Sequence, residues 1–70
     1  MNRIQKHKLL MSKWTAVAPK NREKHFLVTR IIDEDPTEFS VILEAVHSKQ
    51  EYALQWTELK DDTQWRQGWR

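Results

Sequence analysis

The chain has 70 residues, a formal net charge of +2, four tryptophans and no cysteine. At this length we expect one small domain, and without cysteine neither disulfides nor thiolate metal sites can stabilise it. No segment approaches the roughly 20 apolar residues that a membrane span needs. The composition therefore favours a soluble cytoplasmic protein with no membrane partner, whose core depends on aromatic side chains.

The charges are distributed unevenly along the chain. Residues 1–30 carry eight Lys or Arg against one acid, for +7, whereas residues 31–62 carry nine acids against two lysines, for −7. Arg66 and Arg70 restore the total. This asymmetry is typical of a basic surface for an anionic partner. The alternative is that oppositely charged neighbouring strands complement one another, and both interpretations stay open here.

The first eight residues are predicted to form a flexible basic arm, followed by a single tryptophan-rich β domain at 9–70. Polar segments of hairpin length, one of them with Pro36 at its turn, separate four predicted strands. These strands are Lys13–Ala18, Lys24–Asp33, Glu38–His47 and Tyr52–Thr57. They predict a mainly β fold, a small antiparallel meander of about four strands, of which a curled SH3-like half-barrel is one form.

Alternation along these strands predicts both the register and the core, because each hairpin has one pairing that puts like faces together. The predicted pairs are Trp14 with Val28, Ala16 with Phe26, Phe26 with Ala45, Val28 with Leu43, Arg30 with Val41, Ile32 with Phe39, Leu43 with Trp56, and Ala45 with Leu54. The predicted core face is Trp14, Ala16, Phe26, Val28, Ile32, Phe39, Val41, Leu43, Ala45, Tyr52, Leu54 and Trp56. The opposite face keeps Val17, Leu27, Ile31, Ile42, Val46 and Ala53. We expect that face to be covered by barrel closure, by terminal segments or by another subunit.

The C-terminal tail has acidic residues at 61–62 and tryptophans at 65 and 69. This spacing predicts a short helix or a pair of turns that places Trp65 and Trp69 on one side. A helix of about two turns is unstable alone, so we expect the tail to pack on the sheet. The two rings are predicted to form a lid over the sheet or, alternatively, a contact for a partner.

No pattern in the chain indicates catalysis, a metal or a cofactor. The three histidines are too far apart for a local metal motif, and the acidic residues 33–35 lack the glycine of a calcium loop. Gly68 is the only glycine, which excludes phosphate-binding glycine loops and dinucleotide fingerprints. We therefore expect a non-enzymatic binding module.

Two kinds of partner fit such a module. Basic residues next to aromatic ones are typical of single-stranded nucleic-acid binding, in which cations hold phosphates and a ring stacks on a base. The candidate contacts are Lys13, Trp14, Lys20, Arg22 and Lys24, although a packing role for Trp14 is the alternative. The second hypothesis is a protein-interaction or self-assembly module that forms an oligomer. Its candidate residues are Trp65, Trp69, Leu27, Ile31 and Ile42.

Four motifs carry a resemblance to a known family: KLLMSKWTAV, NREKHFLV, LEAVHSKQEYAL and WTELKDDTQWRQGW. Together they cover nearly everything from Lys8 to Trp69. On these motifs the chain resembles an uncharacterised bacterial family of short tryptophan-rich conserved hypothetical proteins. The resemblance implies no particular activity, cofactor or substrate.

Overall fold

The structure is a computed structural model that describes residues 1–33 and 37–70. Its strands are β1 (Lys13–Lys20), β2 (Glu23–Ile32), β3 (Ser40–Ala45), β4 (Glu51–Gln55) and β5 (Trp65–Gln67), with a one-turn helix α1 (Lys6–Leu9) and a 3₁₀ helix (Trp56–Lys60). All pairings are antiparallel and the strand order is β4-β3-β2-β1-β5. The predicted mainly β meander is confirmed, and the sheet is open, with β5 as a fifth strand beside β1.

Two tight turns shape the meander. Asn21 and Arg22 both have positive φ, 56° and 63°, between the paired residues Lys20 and Glu23. This is the backbone of a two-residue hairpin turn, whose twist matches that of the strands. Lys49 also has positive φ, 66°, and its N–H donates to the Ala45 carbonyl at 2.8 Å. The turn predicted at residues 34–37 lies mostly outside the described residues.

The β3–β4 register differs from the prediction by four residues. The turn occupies residues 46–49 rather than 48–51, so Val41 lies opposite Leu54 and Leu43 opposite Tyr52. The predicted pairs of Leu43 with Trp56 and of Ala45 with Leu54 are therefore wrong. An even shift leaves every side chain on its predicted face, because strand side chains alternate with a period of two.

β2 contains a bulge that the alternation of apolar and polar residues does not indicate. Phe26 pairs with Ala45 and Val28 with Leu43 as predicted, but the register then shifts by one residue at Thr29. Beyond this bulge Ile31, not Arg30, lies opposite Val41, and Ile31 packs against the core. The predictions that Arg30 pairs with Val41 and Ile32 with Phe39 are wrong, because a bulge reverses the faces after it.

A further irregularity lies between β1 and β2. Trp14 pairs with Phe26 instead of Val28, and Ala16 pairs with Trp65 of β5. The register shifts between Thr15 and Lys20, so the single register predicted for this hairpin holds nowhere along it. Trp14 still lies on the predicted face.

The core lies on one face of the sheet, which we call the inner face. Its buried side chains are Leu9, Trp14, Phe26, Val28, Phe39, Val41, Leu43, Ala45 and Leu59. Leu9 and Leu59 do not come from the sheet: the N-terminal segment and the 3₁₀ helix cover part of the inner face. Phe39 stacks on Trp56 with ring centroids 5.4 Å apart. No helix in the described part of the chain is long and apolar enough to cross a membrane.

The first eight residues contact the domain. The Asn2 side-chain amide donates to the carbonyls of Leu59 at 2.8 Å and Trp65 at 2.7 Å, and the Asn2 N–H donates to the Lys60 carbonyl at 2.9 Å. One asparagine therefore links the 3₁₀ helix to β5. Ile4 packs against the core beside it.

Candidate nucleic-acid interface

Basic side chains that form no ion pair with the described residues lie at one end of the sheet, and we call Lys20, Arg22, Lys24 and Lys49 the basic end. The β1–β2 and β3–β4 turns meet there, since Ser48 of the second turn donates a hydrogen bond to Glu23 next to the first. All four cations are exposed. The two ion pairs found among the described residues join Met1 to Asp62 and Lys6 to Asp33, elsewhere on the molecule.

Beside the basic end the inner face is open and forms a cleft of about 600 Å³, which we call the aromatic cleft. This is the half of the inner face that the N-terminal segment and the 3₁₀ helix leave uncovered. Each strand contributes one or more side chains to its lining, among them Ala16, Phe26, Leu43, Tyr52 and Trp65. Lys20 of the basic end also lines it. Its volume lies within the range of small-molecule binding sites.

Three aromatic rings form a row along this cleft. Phe26 lies in the middle, with its ring centroid 6.1 Å from that of Tyr52 and 5.2 Å from that of Trp65. Both contacts are edge-to-face, with interplanar angles of 68° and 80°, the geometry that aromatic quadrupoles favour. Tyr52 is 41% exposed, so it offers accessible ring surface to a ligand.

Glu23 places a single carboxylate among the residues that line the cleft. It is 6% exposed and accepts hydrogen bonds from the Ser48 hydroxyl on Oε2 and, at 2.5 Å, from the Tyr52 hydroxyl on Oε1. Both hydrogen bonds lower the pKa of Glu23, and the bond from Ser48 has the larger effect. The bond to Glu23 raises the pKa of Tyr52. The cleft thus contains an ionised acceptor group next to its aromatic walls.

The structure brings together only part of the predicted contact set. Lys20, Arg22 and Lys24 lie in or beside the β1–β2 turn, at the basic end. Lys13 lies on the opposite face, which we call the outer face, opposite Leu27 on β2. Trp14 is 2% exposed and its indole N–H donates to Ser12 Oγ at 2.8 Å, so a base cannot stack on it. The packing alternative for Trp14 is the one that the geometry supports.

The tail forms a turn and then β5, so the helical alternative is wrong. Trp65 lies on the inner face, whereas Gly68 with φ 80° directs Trp69 to the outer face. There the Trp69 indole N–H donates to the Phe26 carbonyl at 3.0 Å and the Lys13 ammonium lies 4.8 Å from its ring centroid. The two rings do not share a side, because a strand ending in a left-handed residue lacks helical spacing.

The candidate partner residues likewise separate between the two faces. Leu27 and Ile42 share the outer face and are half-buried, whereas Ile31 packs on the core because of the bulge at Thr29. The segment 68–70 covers part of the outer face, and Thr15 beneath it is 3% exposed and donates to the Gly68 carbonyl at 2.6 Å. Self-assembly through the remaining apolar strip stays a prediction.

Glu23 and Tyr52 are members of the site that the sequence pattern did not indicate. One signal was available: Glu23 is the only acid among residues 1–30, and it stands immediately before the predicted strand Lys24–Asp33. An isolated acid in a basic segment indicates a specific partner. Here the partners are the hydroxyls of Ser48 and Tyr52, which follow Glu23 by 25 and 29 positions in the sequence. Those partners could not be assigned from the chain alone, because they depend on the β3–β4 register.

The fold and the composition define a small tryptophan-rich domain built on one open antiparallel sheet. The sequence profile of the tryptophan-rich protein family DUF2389 matches residues 12–70, and the chain belongs to this family. The predicted resemblance to a tryptophan-rich family is confirmed. No curated protein and no solved structure matches the chain.

Proposed function

We propose that this protein is a non-enzymatic module that binds single-stranded nucleic acid. Phosphates contact the basic end, and one base enters the aromatic cleft. The observation that carries the proposal is the direct adjacency of the two surfaces, since Lys20 belongs to both. Cations beside accessible aromatic rings are the arrangement that single-strand binding proteins use.

The electrostatics of the site support an anionic ligand. The four cations of the basic end have no ion-pair partner among the described residues, so a ligand phosphate does not have to displace an existing pair. Binding phosphates there releases counterions from the nucleic acid, which is favourable at low salt. A cationic ligand would instead meet the like charge of Lys20, which lines the cleft, and those of the rest of the basic end.

The aromatic cleft favours binding of a single strand over binding of a duplex. A base can contact Tyr52 and Trp65 only when it is unpaired and unstacked from its neighbours, as in single-stranded segments and loops. Stacking on an aromatic side chain contributes about 1–3 kcal/mol per base and tolerates any base. Stacking on the aromatic rings of the cleft therefore contributes affinity for any base.

Salt-dependent binding tests the proposal. We expect a fluorescent seven-nucleotide RNA to bind at low salt, with log Kd changing by about 0.7 per phosphate contacted for each tenfold change in salt. Replacing Lys20, Arg22 and Lys24 together with glutamine should lower the affinity and reduce the slope by about 2, the sum for three phosphates. A duplex of the same sequence should bind more weakly than the single strand.

A charge-matched variant separates a specific site from general attraction. Arg3, Lys8 and Arg30 are exposed and lie outside the basic end, and replacing all three with glutamine removes the same charge. We expect this variant to keep most of the salt slope of the unmodified protein. No binding at low salt, or equal losses in the two triple variants, would refute the proposed interface.

The second candidate function is self-assembly through the outer face. The observation that favours it is the apolar strip of the outer face containing Leu27 and Ile42, both half-buried. Sedimentation equilibrium at high protein concentration tests it. A dimer that Ile42→Ser converts to a monomer would support this function, and a monomeric unmodified protein would exclude it.

A further inference from the structure

The carboxylate in the aromatic cleft has acceptor positions that its protein partners do not use. Each carboxylate oxygen can accept about two hydrogen bonds. Oε1 accepts from Tyr52 and Oε2 from Ser48, and no other described donor bonds to either oxygen. One acceptor position on each oxygen is left for a ligand. The two oxygens of one carboxylate are neighbours, so a ligand with two neighbouring N–H donors can contact both.

We propose that Glu23 recognises guanine in the bound strand, an inference that rests on the proposed nucleic-acid function. Guanine has two adjacent donors on its Watson–Crick edge, N1–H and the N2 amino group, which match the two oxygens of one carboxylate. Adenine, cytosine and uracil each place an acceptor next to their donor on that edge. Their acceptor would face a carboxylate oxygen and repel it.

Two features of the site strengthen this discrimination. Ser48 and Tyr52 orient the carboxylate and keep it ionised at neutral pH, so both oxygens act as acceptors. Glu23 is also 6% exposed, and a base that cannot pair with it removes its remaining water contacts without replacing them. Sites with buried polar groups reject ligands that leave those groups unpaired.

A set of seven-nucleotide RNAs with one variable central base in oligouridine tests the inference. The central base is guanine, 7-deazaguanine, inosine, adenine or uracil, and Kd is measured by fluorescence anisotropy. We expect guanine and 7-deazaguanine, which keep both donors, to bind about 10-fold tighter than adenine and uracil. Inosine lacks the N2 amino group and should lose most of this preference. This comparison uses the unmodified protein.

The Glu23→Gln variant provides the matching test on the protein. Glutamine has a similar size and can still bond to both hydroxyls, but it presents one donor in place of an acceptor. We expect the ratio of the Kd values for the uracil and guanine strands to fall from about 10 to about 1 in this variant, whatever its absolute affinity. Circular dichroism and thermal unfolding confirm that the variant is folded.

The outcomes separate this inference from the proposed function. Equal affinity for all five RNAs, or a guanine preference that survives in Glu23→Gln, overturns the role of Glu23 and leaves the nucleic-acid interface intact. A preference for guanine that inosine shares equally also overturns it, because the two-donor match then plays no part. Failure of every RNA to bind overturns both proposals.

Discussion

The hydroxyl of Tyr52 donates a hydrogen bond to Oε1 of Glu23 at 2.5 Å, across 29 residues of sequence. It joins the edge strand β4 to the start of β2, on the far side of β3. The bond holds the phenol ring as a wall of the aromatic cleft and the carboxylate as its acceptor group. A single contact therefore connects the folding of the sheet edge to the chemistry of the candidate site.

The stability of the protein should depend on the ionisation of Glu23. Hydrogen bonds from Ser48 and Tyr52 lower the folded-state pKa of Glu23 below its ordinary value of 4.5. Its contribution is thus present above pH 4.5 and is lost as pH falls through the lower folded-state pKa. We expect Tm to fall at acid pH, and to fall less in Glu23→Gln.

Tm measured by circular dichroism between neutral pH and about pH 2.5 checks this prediction. Asp61 also contributes to the loss of stability over this acid pH range, because hydrogen bonds from Thr63 lower the pKa of Asp61. An Asp61→Asn variant measures that part separately. A Glu23→Gln profile parallel to that of the unmodified protein would mean that Glu23 makes no such contribution.

Tyr52 should act in RNA binding through its ring. Tyr52→Phe keeps the ring, so we expect the Kd for oligouridine to change by less than about twofold. Tyr52→Ala removes the stacking surface and should weaken binding by about 10-fold. Fluorescence anisotropy measures both. Equal weakening in the two variants would show that the hydroxyl matters for binding, and that the ring does not.

Two tryptophans should differ sharply in their effect on stability. Trp14 is 2% exposed, and we expect Trp14→Ala to cost about 3–5 kcal/mol of unfolding free energy, a large share of the stability of a small domain. Trp69 is 44% exposed, and Trp69→Ala should cost roughly 1 kcal/mol, mainly its hydrogen bond to the Phe26 carbonyl. Urea denaturation compares them. Similar costs would contradict the assignment of Trp14 to the core.

Gly68 should be sensitive to substitution for a reason of backbone conformation alone. Its φ is 80°, and a Cβ added there would meet no atom within 4 Å. We expect Gly68→Ala to cost about 1–2 kcal/mol through strain and Gly68→Asn to cost less, because asparagine tolerates positive φ. Thermal unfolding measures both. Equal Tm values for the unmodified protein, Gly68→Ala and Gly68→Asn would show that the tail adopts another conformation.

Much of the inner face could be predicted from alternation. Phe26, Val28 and Leu43 lie on the predicted face, and the error of four residues in the β3–β4 register moved no side chain to the other face. The bulge at Thr29 could not be predicted, since neither glycine nor proline marks it. It moved Ile31 from a predicted partner surface into contact with the core.

The candidate site was only half predictable. Lys20, Arg22 and Lys24 are close in sequence, so a hairpin necessarily brings them together. The aromatic cleft needed contacts between strands that are far apart in the chain, such as Trp65 of β5 beside Phe26 of β2. Those contacts depend on registers and on a fifth strand, β5, which was part of neither prediction for the tail, the short helix or the pair of turns.

The amino-acid sequence by itself determined the class of fold, the inner-face residues of the strands before the bulge at Thr29, and the basic hairpin, because these follow from a two-residue period and from local turn chemistry. Only the tertiary structure decided which aromatic rings are accessible and that Glu23 meets Tyr52 and Ser48. Such pairings are set by small differences in packing among competing registers, and no local pattern in the chain encodes them.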